Sequence, residues 1–92
     1  MALRSVAVVT GAAQGIGRAI ALRMAADGFD VAINDLDNQR KQLECLAGEI
    51  SAQGRRAYIA VADVSSDDQV RVMVENVVKE LGSLDVVSLG AS

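Results

Sequence analysis

Glycines follow a short apolar run near the start of the chain, and their spacing suits the binding of a phosphate group. Residues 6–9 are β-branched or small and apolar, which predicts a strand buried on both faces of a parallel sheet. At Gly11, Gly15 and Gly17 the missing Cβ permits a sharp turn, a close ligand and tight helix packing. A helix that begins near Gly15 would present unpaired N–H groups and the positive end of its dipole, so the expected ligand is a pyrophosphate.

An acidic residue stands where a dinucleotide-binding loop requires one. Asp35 follows Gly17 by eighteen residues and ends the next predicted strand. Its carboxylate can accept hydrogen bonds from both ribose hydroxyls of a nucleotide. The same negative charge would repel a 2′-phosphate, so the sequence predicts NAD as the cofactor in preference to NADP. Arg18 is the cation nearest to the glycines in the sequence, and its positive charge is the one feature that argues against this preference.

Composition narrows the class of protein. Half of the 92 residues are apolar, which predicts one small globular domain rather than a disordered chain. The net charge of −3, with no cluster of Lys or Arg, argues against a nucleic-acid partner. Neither a membrane-spanning run nor a signal-peptide pattern is found, so a soluble cytoplasmic protein is expected. With one cysteine and no histidine no metal site is predicted, and Cys45 is expected to pack as a small apolar side chain.

Strand and helix patterns alternate along the whole chain. Strands are predicted at residues 6–9, 29–34, 57–61 and 84–87. The first helix pattern ends at Gly28, and the second begins at Asp37 as N-cap. The third helix begins with a Ser66 and Gln69 capping box and ends at Gly82, with the clearest apolar periodicity of the chain.

This order predicts an α/β fold, a Rossmann-type parallel sheet with strand order 3-2-1-4 and helices on both faces. It is a partial doubly wound fold of the form βαβαβαβ, because right-handed crossovers make all four strands parallel. The first two helices should cover one face of the sheet and the third helix the other. The loops after the first three strands then converge on one crevice beside the point where the winding reverses.

The segment at residues 10–17, Thr-Gly-Ala-Ala-Gln-Gly-Ile-Gly, resembles the Thr-Gly-x-x-x-Gly-x-Gly motif of the short-chain dehydrogenase/reductase family. Residues 34–35 look like the adenosine-ribose site of that family, 63–64 like its adenine-contacting dipeptide and 84–87 like the start of its fourth strand. The cofactor-binding residues predicted from the loop and this resemblance are Gly11, Gln14, Gly15, Ile16, Gly17, Asp35, Asp63 and Val64.

The resemblance implies hydride transfer between a nicotinamide dinucleotide and a small carbonyl or alcohol. The sequence around Gln14, at residues 35–36 and in the third helix is similar to that of diacetyl/acetoin reductases. Gln14 is neutral where NADP-preferring members of the family commonly have a basic residue, which agrees with NAD. A longer form of the chain is expected to be a homo-oligomer.

The chain departs from the family pattern in its last residues. The family's catalytic Ser and Tyr-x-x-x-Lys are absent, because Tyr58, the only tyrosine, is followed four residues later by Ala62. Tyr58 is expected in the core or on a sheet face. Residues 88–92 replace the family's Asn-Asn-Ala-Gly. We therefore expect residues 1–92 to be a truncated NAD(P)-binding domain, with no catalytic residues and no activity by itself. The alternatives are a short non-catalytic product that binds a dinucleotide or a partner protein, and a methyltransferase-type Rossmann domain.

Overall fold

A computed structural model describes residues 5–89, in which four strands alternate with three α-helices. The elements are β1 (Val6–Thr10), α1 (Gly15–Ala26), β2 (Asp30–Asp35), a 3₁₀ helix (Asp37–Gln39), α2 (Arg40–Ala52), β3 (Ala57–Val61), α3 (Asp67–Leu81) and β4 (Val86–Leu89). Within this part of the chain, no helix is long and apolar enough to cross a membrane.

The strands form one parallel sheet in the order β3-β2-β1-β4, which confirms the predicted fold and topology. β4 begins at Val86, two residues later than predicted. The difference arises from Asp85, whose N–H donates to the Val6 carbonyl at 2.9 Å while its Oδ2 accepts from the Val6 N–H at 2.8 Å. The Val6 N–H is thus bonded to the Asp85 side chain, and regular pairing between β1 and β4 starts one residue later.

The two faces of the sheet carry separate apolar clusters, and the predicted distribution of helices is confirmed. On one face, Val9 and Ile33 pack with buried residues of α1 and α2. On the other face, Val8 and Ala32 pack against α3. The buried side chains that α2 and α3 contribute are Leu43, Leu46 and Ile50 for α2 and Met73, Val77 and Leu81 for α3.

The buried face of α1 is made of the smallest residues. Gly17, Ala21 and Ala25 face the sheet, whereas the larger apolar side chain of Ile16 is 62% exposed. A Cβ at Gly17 would lie 2.1 Å from the carbonyl oxygen of Gly11. Only a glycine therefore lets the helix approach the end of β1 this closely.

The start of the second helix and the place of the cysteine differ from the predictions. Asp37 is not the N-cap of α2, because the 3₁₀ helix comes first and Gln39 precedes α2 without a side-chain cap. The Asp37 carboxylate instead accepts a hydrogen bond from Arg40 Nε at 3.2 Å. Cys45 is exposed, so its expected packing role is wrong: Leu43 and Leu46 face the sheet, and the two positions between them are exposed.

The third helix has its predicted ends, with one change in the capping bonds. The Ser66 hydroxyl accepts from the Gln69 N–H at 3.3 Å, and Gly82 ends the helix at φ 93°. In a full capping box the Gln69 side chain would return to Ser66. Here its Oε1 accepts from the Asp63 N–H at 2.8 Å, so the helix cap also holds the loop after β3.

Two helical glycines provide a matched test of the contact between α1 and β1. Gly17→Ala should destabilise the fold by about 1–3 kcal/mol, because the new methyl group meets backbone rather than a movable side chain. Gly48→Ala, in α2 with no atom within 4 Å of the new Cβ, should stabilise it by about 0.5–1 kcal/mol. Urea unfolding followed by circular dichroism measures both, and shifts of the same sign would contradict the packing described.

Candidate functional site

The carboxyl ends of β1, β2 and β3 bring the predicted site residues to one edge of the sheet. The backbone of the glycine loop is bonded to β2 here, since the Ala12 N–H donates to the Asn34 carbonyl at 2.8 Å. The Ala62 N–H donates to the Asp35 carbonyl at 3.2 Å and joins the end of β3 to the same strand. The residues at this edge are Gly11, Gln14, Gly15, Ile16, Gly17, Asp35, Asp63 and Val64.

The N-terminus of α1 is left open by the sequence around it. Gly11 and Gly15 have φ of 62° and 63°, in the left-handed region that favours glycine. Gln14, the N-cap residue, is extended and its side chain makes no capping bond, and the first turn holds no acidic residue. By contrast α3 has the Ser66 cap and two aspartates in its first turn. The positive end of the α1 dipole therefore faces the crevice without a neutralising side chain.

Asp35 is fixed against the glycine loop by its own carboxylate. Oδ2 accepts from the Ala13 N–H at 3.1 Å, and Oδ1 accepts from the Leu36 N–H at 2.9 Å. Each carboxylate oxygen can accept a second hydrogen bond, so the half-buried group keeps acceptor capacity for a ligand hydroxyl. The loop contact was not predicted, and it gives Asp35 a structural role in addition to the predicted one.

Asn34 does not have the ligand-facing position that the resemblance suggested. Its side chain is 1% exposed, and its Nδ2 donates to the carbonyls of Ala60 at 2.8 Å and Ala62 at 3.2 Å. The residue therefore joins the ends of β2 and β3 and supports the loop that begins at Asp63. The sequence did contain a signal for the burial of Asn34, since this amide directly follows three apolar strand residues.

Exposed apolar side chains follow each of the three strands at this edge. Ile16, Leu36 and Val64 are 62%, 47% and 50% exposed. Large apolar groups left in solvent beside a polar crevice suit contact with a flat ring such as a nucleotide base. Leu36 was absent from the predicted site, although an apolar residue directly after the acidic one was visible in the sequence.

The charged groups beside the crevice are engaged within the protein. Asp63 accepts from both the Ser65 hydroxyl, at 2.7 Å, and the Ser65 N–H, at 2.9 Å. These two bonds hold the pKa of the exposed Asp63 carboxyl below its ordinary value of 3.8, and the bond from the Ser65 hydroxyl has the larger effect. Arg18, in the first turn of α1, forms an ion pair with Glu49 of α2.

The described residues offer no site for a metal ion, and their one described groove lies away from this edge of the sheet. No group of three or more Cys, Asp or Glu side chains suited to a metal ion exists within residues 5–89. A groove of about 270 Å³ lies between β3 and α3, lined by Tyr58, Ala60, Met73 and their neighbours, and it includes none of the predicted site residues. Tyr58 is half-buried and packs against this sheet face, as predicted. Residues 90–92, part of the segment that departs from the family pattern, lie outside the described residues.

Comparison with known proteins agrees with the motif. The family model described as short chain dehydrogenase matches residues 5–92. The short-chain dehydrogenase/reductase eriH of Hericium erinaceus is 50% identical over 93 residues, covering 99% of this chain and 37% of that protein. The chain therefore spans about a third of the length of this relative. This match to a dehydrogenase family removes the methyltransferase alternative.

Solved structures share the same fold. A blue fluorescent protein from a metagenomic library, in complex with NADPH, matches with a TM-score of 0.86 and 42% identity, over 90% of this chain and 34% of that one. Acetoin dehydrogenase from Enterobacter cloacae matches with a TM-score of 0.80 and 34% identity, again over 90% of this chain and 34% of that one.

The Ser65 contacts predict a change in the titration of Asp63. Ser65→Ala removes the hydroxyl bond and keeps the N–H bond, so the pKa of Asp63 should rise part of the way toward 3.8. Because the pKa is lowered in the folded state, these bonds stabilise the fold above the ordinary pKa, and this contribution is lost as the pH falls through the lowered value. NMR titration of the carboxyl carbon measures the shift.

Ser66→Ala is the control for this titration. It removes the α3 cap, at a cost of about 1 kcal/mol in stability, and should leave the Asp63 titration unchanged. An unchanged pKa in Ser65→Ala, or an equal rise in both variants, would contradict the assignment of the shift to the Ser65 hydroxyl.

Proposed function

Because this chain belongs to the short-chain dehydrogenase/reductase family, we propose that its carboxyl-edge loops bind the adenosine and pyrophosphate portion of a nicotinamide dinucleotide. The observation that carries the proposal is that two features occur together at the same loop. The N-terminus of α1 is uncapped, and Asp35 is bonded to the Ala13 N–H in the segment that leads to this helix. A ligand with a diphosphate next to a ribose matches that pairing.

The residues of the crevice provide hydrogen-bond donors and acceptors of the kind that such a cofactor needs. The close approach at Gly17 seats the first turn of α1 directly beyond β1, so its N–H groups would hold the pyrophosphate. Asp35 would accept from the ribose hydroxyls. Asp63, with the apolar surfaces of Leu36 and Val64, would hold the adenine. When bound, the nicotinamide supplies the hydride-carrying ring for oxidation of an alcohol or reduction of a carbonyl.

We further propose that NAD is preferred to NADP, on the evidence of this chain's own side chains. The Asp35 carboxylate is held in place by two backbone N–H groups, so it cannot easily move away from a 2′-phosphate. At about 4 Å the repulsion between two like charges is about 1 kcal/mol in water and about 4 kcal/mol near a protein surface. Gln14 supplies no compensating charge, and Arg18 is already paired with Glu49.

The substrate of the complete site is proposed to be a small carbonyl or alcohol, with diacetyl and acetoin as the first compounds to test. The likeness in fold to acetoin dehydrogenase supports this choice.

The 92 residues contain no Tyr-x-x-x-Lys, so this chain by itself should bind the cofactor without turning over a substrate. NADH oxidation with diacetyl should be absent for this chain and present for a protein extended past Ser92. Binding without activity in both would favour the non-catalytic alternative, and turnover by the short chain would contradict the proposal.

Changing the charge of Asp35 tests the cofactor preference. Asp35→Asn keeps an acceptor oxygen near the Ala13 N–H and removes the negative charge, so affinity for NADP should rise about tenfold relative to NAD, a difference of about 1.4 kcal/mol. Asp37→Asn is the control, since this exposed carboxylate lies on the 3₁₀ helix and pairs with Arg40. Isothermal titration with both cofactors measures the ratio. A ratio that Asp35→Asn leaves unchanged would remove Asp35 as its determinant.

A further inference from the structure

β3 forms one edge of the sheet and lacks the features that usually protect such an edge. Among the described strands it pairs only with β2, and its five residues, Ala-Tyr-Ile-Ala-Val, include no charged side chain and no proline. Its register with β2 runs without a bulge from Ala57 to Val61. Proteins commonly block an edge with charges, prolines or bulges, because its free backbone groups can pair with another chain. The β3 edge is therefore open to a further strand.

Alternate residues of β3 turn their backbone groups away from the sheet. The Arg56 carbonyl accepts from the Val31 N–H at 2.9 Å, and the Ala62 N–H donates to the Asp35 carbonyl at 3.2 Å. Both bonds join even-numbered residues of this segment to β2, and a strand residue directs its N–H and C=O to the same side. The odd-numbered residues of β3, which direct theirs outward, are Ala57, Ile59 and Val61.

A second copy of β3 matches these outward groups when it runs antiparallel about a twofold axis at Ile59. The three outward-facing residues of each copy then form hydrogen-bonded pairs, with about six N–H···O bonds between the copies. Tyr58 lies opposite Ala60 of the second copy on the face that carries α3, and Ile59 lies opposite its own equivalent on the face of α2. Each apolar residue of the strand is thus opposite an apolar one, and the bulky ring is opposite a small side chain.

The groove between β3 and α3 leaves space for the tyrosine of the second copy. Its volume is about 270 Å³, and its lining includes Ala60 of β3 and Val72 of α3. Val72 is 46% exposed, which is unusual for a valine beside a sheet. Because opposite residues of paired strands share a face, Tyr58 of the second copy would enter the groove beside Ala60 and cover Val72.

The charges that flank β3 match in the same register. Arg55 lies two residues before the strand and Asp63 two residues after it, so each comes opposite the other residue of the second copy. Arg55 donates to the carbonyls of Gly54 at 3.0 Å and Gly28 at 3.1 Å, and it forms no ion pair within residues 5–89. Opposite charges at facing positions stabilise an antiparallel pair of strands.

We propose that the β3 edge is a self-association surface, at which two copies of this chain pair antiparallel about Ile59 and join their four-stranded sheets into one. The occupant is a second copy rather than an unrelated peptide, because the apolar pairs, the ring in the groove and the flanking charges all match β3 itself in a single register. A twofold interface uses the same surface of both copies, so each substitution acts twice. The inference does not depend on the proposed cofactor.

Prolines at the two edges of the sheet test this surface. Ala57→Pro removes an outward N–H from β3 and leaves the bonds to β2 in place. Ser88→Pro is the matched control at the other edge, because Asp85 bonds toward β1 and the alternation turns the Ser88 N–H outward. Sedimentation velocity over a range of concentrations should show a monomer–dimer equilibrium for the parent chain. Its dissociation constant should rise about tenfold in Ala57→Pro and stay unchanged in Ser88→Pro, with circular dichroism as the check on folding.

Disulfide cross-linking tests the register and decides the question if a proline variant does not fold. In a Cys45→Ser background, which removes the exposed native thiol, Ile59→Cys places two thiols across the twofold axis. Their Cα atoms would be about 5.5 Å apart, within the range for a disulfide. Val61→Cys is the control, because Val61 lies opposite Ala57 of the second copy and about 14 Å from its own equivalent. Mild oxidation should link the Ile59→Cys chains and leave the Val61→Cys chains unlinked.

Three results would overturn the inference. The first is a parent chain that stays monomeric at every concentration at which it is soluble. The second is a dimer that Ser88→Pro weakens and Ala57→Pro does not, which would assign the association to the β4 edge. The third is a dimer in which Val61→Cys is linked or Ile59→Cys is not, since either outcome excludes the antiparallel register about Ile59.

Discussion

The approach of Gly17 to the carbonyl of Gly11 is the constraint on which the site depends. A Cβ at Gly17 would lie 2.1 Å from that oxygen, so the helix can begin directly at the end of the strand only because the side chain is absent. Ala21 and Ala25 continue the same close contact along α1. The direction of the helix, and with it the direction of its dipole, follows from this packing, so the electrostatic character of the crevice is a consequence of small side chains.

Buried polar side chains hold the two ends of the sheet in register. At the carboxyl end, Asn34 donates to two carbonyls at the end of β3. At the amino end, the fully buried Asp30 carboxylate accepts from the Arg56 N–H at 2.9 Å and from its Nε at 3.2 Å, while Arg56 Nη2 donates to the Leu81 carbonyl at 2.9 Å. A buried polar group is costly unless its bonds are made, so each pairing favours one register over its alternatives. The loops that form the crevice therefore start from fixed positions.

Much of this arrangement was predictable because it is encoded locally. The glycine spacing, the Ser66 cap and the apolar period of α3 each act within a few residues, and the sheet order followed from them. The position of Asp85, which delays β4, depends on a contact with Val6, seventy-nine residues away. The burial of Asn34 depends likewise on β3, and the pairing of Arg18 on α2. Side chains of these types could equally face a ligand, so sequence alone could not assign them.

In the proposed function, the attraction for phosphate and the choice between cofactors would have separate physical sources. The attraction would arise from backbone N–H groups and the α1 dipole, which substitution of a charged side chain leaves in place. The proposed choice would arise from the charge of Asp35, which two backbone N–H groups hold in place. This carboxylate lies beside the glycine loop, where it accepts a hydrogen bond from the Ala13 N–H. Because the two sources would be separate, a substitution at Asp35 should change the proposed cofactor preference while the glycine loop remains the same.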